Sequence, residues 1–255
     1  MSKKIRRAHV ISTTQIAPHL MRIVVGSEEF DDFPRDQQGA YVKVLFPHEG
    51  QTDVELDLKA DKPAVMRSYT IRKIDSQSGA ISLDFVINQH SGVATNWAKY
   101  AKVGDKVGIA GPGPKKLSDF SQSDYLLLGD LTSVNAINGY LQRLPASATV
   151  NAIIHVPDKK DIIDLDTIKN NHHVNWLISE QPHTDLINAV ITELGQSHTK
   201  PLVFMALESS LIREINTLLR ERFSIKRESI VCSAYWKQGI TADGLKVEKQ
   251  HQSNA

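Results

Sequence analysis

Tyr125-Leu126-Leu127-Leu128-Gly129 is an apolar run without a single polar break. A strand wetted on one side alternates apolar and polar residues. A run without alternation marks a strand covered on both faces, as in a parallel sheet packed under helices. The downstream rhythm agrees. Ser133 to Leu144 reads as a helix, Thr149 to Val156 as a strand, His173 to Ile178 as another, and Asp185 to Leu194 as a helix. Pro201 to Leu207 then reads as a strand, Ser209 to Phe223 as a helix and Ser229 to Tyr235 as a last strand. Strands alternating with helices predict an open α/β sheet, mostly parallel, of the nucleotide-binding type. Ligands of such sheets sit outside the carboxyl ends of the strands.

Upstream of the run the rhythm is different. Ala8 to Ile16, His19 to Val25, Ala40 to Phe46, Thr52 to Leu58, Met66 to Lys73, Ala80 to Ile87 and Asp105 to Ile109 are short β-prone segments separated by Gly, Pro, Asp and Ser. Many short strands with turn signals predict an antiparallel sandwich or barrel. Gly111-Pro112-Gly113-Pro114 is the strongest breaker cluster, and the domain linker is placed just after it. The expected organisation is a β domain over residues 1–118, an α/β domain over 119–240, and a polar tail over 241–255, either mobile or a short helix over the domain junction.

Composition narrows the class. At 255 residues the chain suits two ordinary domains, and 41% hydrophobic content is enough for a core in each. Thirty basic residues against 29 acidic leave a net charge of +1, so nothing about the whole chain suggests a nucleic-acid or polyanion binder. Cys232 is the one cysteine, which rules out an internal disulfide and fits a reducing cytoplasm. The basic start, Lys3-Lys4-Ile5-Arg6-Arg7, is not followed by the apolar stretch of about 7–15 residues that a signal peptide needs. No run approaches the ~20 apolar residues of a membrane span. No His-x-x-His or His-Glu-x-x-His spacing is present, so no metal held by protein side chains is expected. A monomer is expected.

Two segments carry the candidate chemistry. In Val65-Met66-Arg67-Ser68-Tyr69-Thr70-Ile71-Arg72, strand parity puts Arg67 and Tyr69 on one face and Ser68 and Thr70 on the other. A cation, an aromatic plane and a hydroxyl are what a flavin dinucleotide requires of a protein: a diphosphate partner, a surface for a flat ring and a donor at its edge. The same string also describes a plain strand with a surface Arg and a half-buried Tyr. Arg72 could add positive charge but is expected to be solvated. About twenty residues on, His90-Ser91-Gly92-Val93-Ala94-Thr95-Asn96-Trp97-Ala98 leads from a strand into a helix, with Trp97, Tyr100 and Ala101 spaced for its buried face. Free N–H groups and the positive end of the helix dipole make such a start an anion site; ordinary capping describes it equally well.

The strings Arg67-Ser68-Tyr69-Thr70, His90 to Ala98 and Tyr235-Trp236-Lys237-Gln238-Gly239, in this order, resemble the siderophore-interacting proteins, FAD-dependent ferric-siderophore reductases of the ferredoxin-reductase superfamily. Tyr41-Val42-Lys43-Val44-Leu45-Phe46-Pro47 is similar to that family's early strand, and the resemblance spans roughly residues 5 to 240. It implies a flavin-binding antiparallel β-barrel followed by the α/β domain. It implies FAD as cofactor, NADH or NADPH as electron donor with a ferredoxin as the alternative, and a ferric siderophore, commonly anionic, as substrate.

The resemblance also implies roles. Arg67 would meet the FAD diphosphate, Tyr69 would stack on or beside the isoalloxazine, and Thr70, with Ser68, would reach the ring edge where hydride arrives. His90 would lie near the flavin, and Gly92, Val93, Ala94 and Thr95 would give backbone and hydroxyl donors to the diphosphate. Asp130 and Thr132, in a departing version of the family's acidic run, would touch the adenosine portion, though helix capping is the simpler role for either. Leu131 and Asn135 stand where relatives have Glu and Pro. Trp236 would pack near the ring, though a core Trp is the commoner use. Lys43 and Lys237 would contact the chelate. Relatives have a third basic position where this chain has Gly113, and Lys115 and Lys116 are close enough to compensate.

No G-x-G-x-x-G follows the first strand of the α/β half, so a dinucleotide on a standard phosphate loop lacks support. Pro157-Asp158-Lys159-Lys160-Asp161 carries both charges and does not choose between NADH and NADPH. Two other functions stay open: a general flavin or ferredoxin-type reductase, and a non-catalytic chelate-binding protein on the same scaffold. Cys232-Ser233 is not the cysteine-glycine pair of the former.

Overall fold

The structure, a computed structural model, describes residues 4–166, 168–240 and Gly244. The chain divides into two compact units, Met1–Lys115 and Lys116–Ala255. The tail expected over 241–255 lies outside the described residues, Gly244 apart.

The first unit is a closed six-stranded barrel. β1 (Ile5–Ala17), β2 (Leu20–Gly26), β3 (Tyr41–Phe46), β4 (Val65–Ile74), β5 (Ile81–Val86) and β6 (Lys106–Ala110) run in the order β1-β2-β5-β4-β3-β6, with β6 also paired to β1. Every neighbouring pair is antiparallel. Period-2 alternation builds the interior. Val42, Val44 and Phe46 from β3, Ile71 from β4, Ile81, Leu83 and Phe85 from β5, and Val107 and Ile109 from β6 join one buried cluster. Each such side chain contributes about 1.5–3 kcal/mol on leaving water.

Two expectations fail here. Thr52 to Leu58 forms no strand. β3 is already paired with β4 and β6, so this segment has no ladder left to join. Its alternating apolar residues serve instead as a cover outside the barrel: Val54 is buried with Leu45, Ala64 and Ala110, and Leu56 packs against them. α1 (Val93–Tyr100) buries Ala94, Thr95 and Ala98, with Trp97 and Ala101 against the core, while Tyr100 is 77% exposed. The inward stripe runs through 94, 98 and 101, which rotates Tyr100 to solvent.

The second unit is a five-stranded sheet. β7 (Asp124–Asp130), β8 (Thr149–Val156), β9 (His172–Ile178), β10 (Leu202–Glu208) and β11 (Ile230–Trp236) lie in the order β11-β10-β7-β8-β9, all pairs parallel. The unbroken apolar run has its reason in two covered faces. Tyr125 and Leu127 point into a cluster with α2 (Val134–Arg143), whereas Leu126 and Leu128 point into one with α3 (Pro182–Gln196) and α4 (Ser209–Glu221). Between β8 and β9 the crossover carries a 3-10 turn, Lys159–Asp161. Asp166 ties this crossover to α2 by accepting from Asn138 Nδ2 at 3.0 Å and Gln142 Nε2 at 2.6 Å. The chain order reverses between β7 and β10, so the crevice outside their carboxyl ends is the topological switch point.

Candidate functional site

Within the barrel, β4 presents the Arg67-Ser68-Tyr69-Thr70 string. Arg67 pairs across β3 with Val44, and Tyr69 with Val42, so both share the parity of the barrel interior. Ser68, opposite Lys43, and Thr70, opposite Tyr41, take the other face. Ser68 is exposed and Thr70 is 8% exposed. The Tyr69 ring is half-buried, 4.1 Å from the Phe85 ring at 37° and 6.4 Å from Phe46 at 78°. Burial pushes the Tyr69 hydroxyl pKa up, and the Arg67 cation opposes it, so the two groups feel one another electrostatically. Arg67 is half-buried and its Nη1 donates to the Met66 carbonyl at 2.9 Å.

Arg72, expected in solvent, is only 6% exposed. The β4–β5 register slips between Ile71 and Lys73, so Arg72 sits in a bulge. A bulge re-aims the side chain it carries.

α1 is tied to the same aromatic group. Trp97 lies 5.1 Å from Phe46 and 5.7 Å from Phe85. Phe46, Tyr69, Phe85 and Trp97 thus hold the Tyr69 strand and the helix in one cluster. No side chain caps α1, whose N-cap is Gly92, and a Cβ added at Gly92 would meet nothing within 4 Å. The first N–H groups of a helix have no intrahelical partner, so those of Val93, Ala94 and Thr95 look for acceptors outside the helix. The Thr95 hydroxyl differs from the expectation. It is 3% exposed, donates to the Val86 carbonyl at 3.3 Å and lies 3.0 Å from His90 Nε2. With its proton on Val86, the hydroxyl accepts from His90. Partial burial, then the Lys99 ammonium, holds the His90 imidazole below its usual range and favours that neutral donor.

Among the candidate lysines, Lys43 stands half-buried on β3 between Ser68 and Ala110. Lys115 is engaged within its unit: its Nζ donates to the Asp36 carbonyl at 3.1 Å. At Gly113 an added Cβ would fall 2.1 Å from Tyr41 Cζ, so the Tyr41 ring occupies the space of any side chain there.

In the second unit the structure brings Asp130, Thr132 and Trp236 together. Asp130 Oδ1 accepts from the Thr132 N–H at 2.8 Å and its hydroxyl at 2.5 Å, and Oδ2 accepts from Trp236 Nε1 at 2.8 Å. Neither Asp130 nor Thr132 caps α2. The turn runs on to Ser133, which is the N-cap residue, and its hydroxyl accepts from the Asp130 N–H at 3.0 Å. Trp236 is no core residue; it is 41% exposed and anchored by its indole. Burial raises the Asp130 pKa against the pull of the Thr132 and Trp236 donors.

Glu208, at the end of β10, escaped the sequence reading. Its Oε2 accepts from the N–H groups of Ser210 and Leu211 and from the Ser210 hydroxyl, and its Oε1 from the Gln238 N–H at 3.3 Å. Burial works to raise its pKa, but these donors outweigh it and hold the carboxyl below its usual range. A Glu followed by two Ser at a strand-to-helix switch was the signal available. Lys237 is half-buried, between Trp236 and Gln238. Among the described residues no group of three His, Cys, Asp or Glu could hold a metal ion, and no helix is long and apolar enough to cross a membrane.

Comparison with known proteins gives this geometry its context. Residues 9–116 match the siderophore-interacting FAD-binding domain, and residues 122–239 match the siderophore-interacting protein model. The ferric vibriobactin reductase ViuB of Vibrio cholerae is 26% identical over 265 residues, covering 98% of this chain and 97% of ViuB. The uncharacterized protein Rv2895c of Mycobacterium tuberculosis is 30% identical over 273 residues, covering 96% and 95%. The crystal structure of the siderophore-interacting protein SipS from Aeromonas hydrophila superposes with a TM-score of 0.84 over 99% of both chains at 24% identity, which is a likeness of fold. Matched in both units and along nearly its whole length, the chain belongs to the siderophore-interacting protein family, and its barrel is that family's FAD-binding domain.

Proposed function

We propose that the chain is a flavin-dependent ferric-siderophore reductase, carrying electrons from NADH or NADPH by way of FAD to chelated Fe(III), so that iron leaves as Fe(II) for use in the cytoplasm. FAD, when bound, supplies the exchange between two-electron and one-electron chemistry. The observation that carries the reading is the shared aromatic cluster: Phe46, Phe85 and Trp97 fix the Tyr69 strand to the uncapped start of α1. These residues fit the cofactor. Arg67 and the N–H groups of Val93, Ala94 and Thr95 offer donors for a diphosphate. The half-buried Tyr69 ring gives a flat ring a surface, and Ser68 and Thr70 bring hydroxyls to the same strand. The likeness to a ferric vibriobactin reductase supports the substrate class. Lys43 and Lys237 gather the anionic chelate, an effect that salt weakens.

One observation favours a protein donor such as a ferredoxin as a second reading. At the switch point, where a dinucleotide pyrophosphate needs N–H donors, the ends of β7 and β10 carry the carboxylates Asp130 and Glu208.

The test is an anaerobic visible spectrum of the purified, FAD-loaded protein, taken with NADH, NADPH or reduced ferredoxin and then with a ferric siderophore. Bleaching by one donor, followed by recovery on chelate addition with Fe(II) trapped, is the expected result. Bleaching that the chelate fails to reverse moves the function to a general flavin reductase. Failure to take up FAD removes the enzyme.

A further inference from the structure

Two of the buried carboxylates of the second unit, Asp130 and Glu208, share one design. Asp130 and Glu208 end adjacent strands, β7 and β10, and each is 8% exposed. Each gives one oxygen to its own strand-to-helix turn: Asp130 Oδ1 to Thr132, Glu208 Oε2 to Ser210 and Leu211. Each sends the other oxygen to the segment leaving β11. Asp130 Oδ2 takes the Trp236 indole N–H at 2.8 Å, and Glu208 Oε1 takes the Gln238 main-chain N–H at 3.3 Å. The residue between the two anchored positions is Lys237.

The backbone is set for this. β10 and β11 run in register from Val203↔Ile230 to Leu207↔Ala234, and then Glu208 pairs with Trp236, skipping Tyr235. The bulge carries Trp236 to the strand end that faces Asp130. Burying carboxylates to hold a strand terminus costs stability that an apolar edge would not. Such an outlay at the carboxyl edge of a parallel sheet points to function rather than to folding.

We propose that Asp130 and Glu208 are positioning residues that clamp Trp236 and Gln238 and thereby fix where Lys237 presents its ammonium to the substrate. This rests on the reading of Lys237 as a chelate contact. The clamp acts through geometry: the anchored neighbours remove backbone freedom that Lys237 would otherwise lose on binding, so its charge is delivered preorganised. The clamp therefore acts on capture of an anionic chelate more than on reduction of a neutral acceptor.

The test compares Asp130→Asn, Glu208→Gln and Lys237→Ala with the parent protein, all loaded with FAD, using a ferric tris-catecholate as anionic acceptor and a neutral quinone as control. Amide hydrogen exchange over residues 236–240 reads the clamp without reference to turnover. The expected result is faster exchange in that segment in both carboxamide variants. With it comes a rise of roughly 3- to 10-fold in KM for the tris-catecholate, well beyond any change in KM for the quinone. That rise should vanish when Lys237→Ala is already present, because coupled residues are not additive. Unchanged exchange, or a KM rise that persists in the Lys237→Ala background, overturns the proposal. Faster exchange together with a silent Lys237→Ala upholds the clamp and overturns the assignment of Lys237 to the chelate. Should Glu208→Gln fail to fold, because Glu208 also caps α4, Trp236→Phe tests the Asp130 arm alone.

Discussion

The Tyr41 ring lies directly over Gly113: a Cβ built on that glycine would sit 2.1 Å from Tyr41 Cζ and 2.4 Å from Cε1. The backbone holds the pair, because the Gly113 N–H donates to the Tyr41 carbonyl at 2.8 Å. The glycine is therefore required by the ring and not by its own dihedral angles. Gly113→Ala is expected to cost about 1–3 kcal/mol through overpacking. Tyr41→Ala should abolish most of that cost when the two are combined. Denaturant midpoints of the two single variants and the double variant check this; a cost that persists in the double variant would contradict it.

Replacing Arg67 with Ala should weaken FAD binding by about 1.5–3 kcal/mol, roughly 10- to 150-fold in Kd, the range for hydrogen bonds to charged groups. The Phe46–Tyr69–Phe85 contacts do not depend on the guanidinium, so the thermal midpoint of the apo protein should move little. Titration of apo protein with FAD, followed by flavin fluorescence, measures the first; a scan without cofactor measures the second.

Reversing the charge of Lys43 and Lys237 together should raise KM for an anionic ferric chelate roughly 10-fold at low salt while leaving a neutral acceptor almost untouched. The gap between variant and parent should narrow as salt rises. Steady-state rates at two ionic strengths decide it, and equal losses on both acceptors would remove these lysines from the substrate site.

The alternations and runs carried the fold in the sequence because they report burial directly. Tyr125 to Gly129 could be read as doubly covered since its odd and even residues feed two different clusters. Thr52 to Leu58 misled for the same reason: Val54 is buried and Leu56 partly buried at period 2, but against the outside of a barrel whose ladders are complete. Contacts at long range were beyond reach. The Trp236–Asp130 bond joins residues 106 apart. Nothing local to either string announces it, and Glu208 gained its meaning only through Gln238. Arg72 was misplaced because the outer face of β4 is itself covered at this end: Thr70, of the same parity, is 8% exposed and Arg72 6%.

His172 is 3% exposed; its Nε2 donates to the Pro145 carbonyl at 3.1 Å and its Nδ1 is buried with no donor to it among the described residues. Burial first, then Lys169 and His173, lowers its pKa against the pull of Pro145. A histidine with a depressed folded pKa binds fewer protons folded than unfolded. Its contribution is fully present above the unfolded value of about 6.5 and is lost as pH falls through the lower folded value. Stability should therefore decline on acidification below about pH 6.5, and His172→Phe should flatten that slope. Urea unfolding at about pH 7.5 and about pH 5.5 tests it.

Arg22 and Asp84 form a two-pronged pair across β2 and β5, at 2.7 and 2.8 Å, with the Asp84 side chain 1% exposed and Arg22 30%. Arg22→Ala strands a buried carboxylate and should cost about 3–5 kcal/mol, while Arg22→Met with Asp84→Leu should fall near the parent. Chemical denaturation of the three proteins separates the cost of breaking the pair from its net worth.

Closure of the barrel has a consequence for synthesis. β1 begins at Ile5, yet the strand that seals it, β6, ends at Ala110 and also pairs with β3. As the chain leaves the ribosome, two strand edges stay unpaired until residue 110 has emerged, and the loop entropy of that long return falls due all at once. The five residues Lys106–Ala110 are thus the latch of the first unit, and a nascent chain halted just short of them would display the open edges on which aggregation begins.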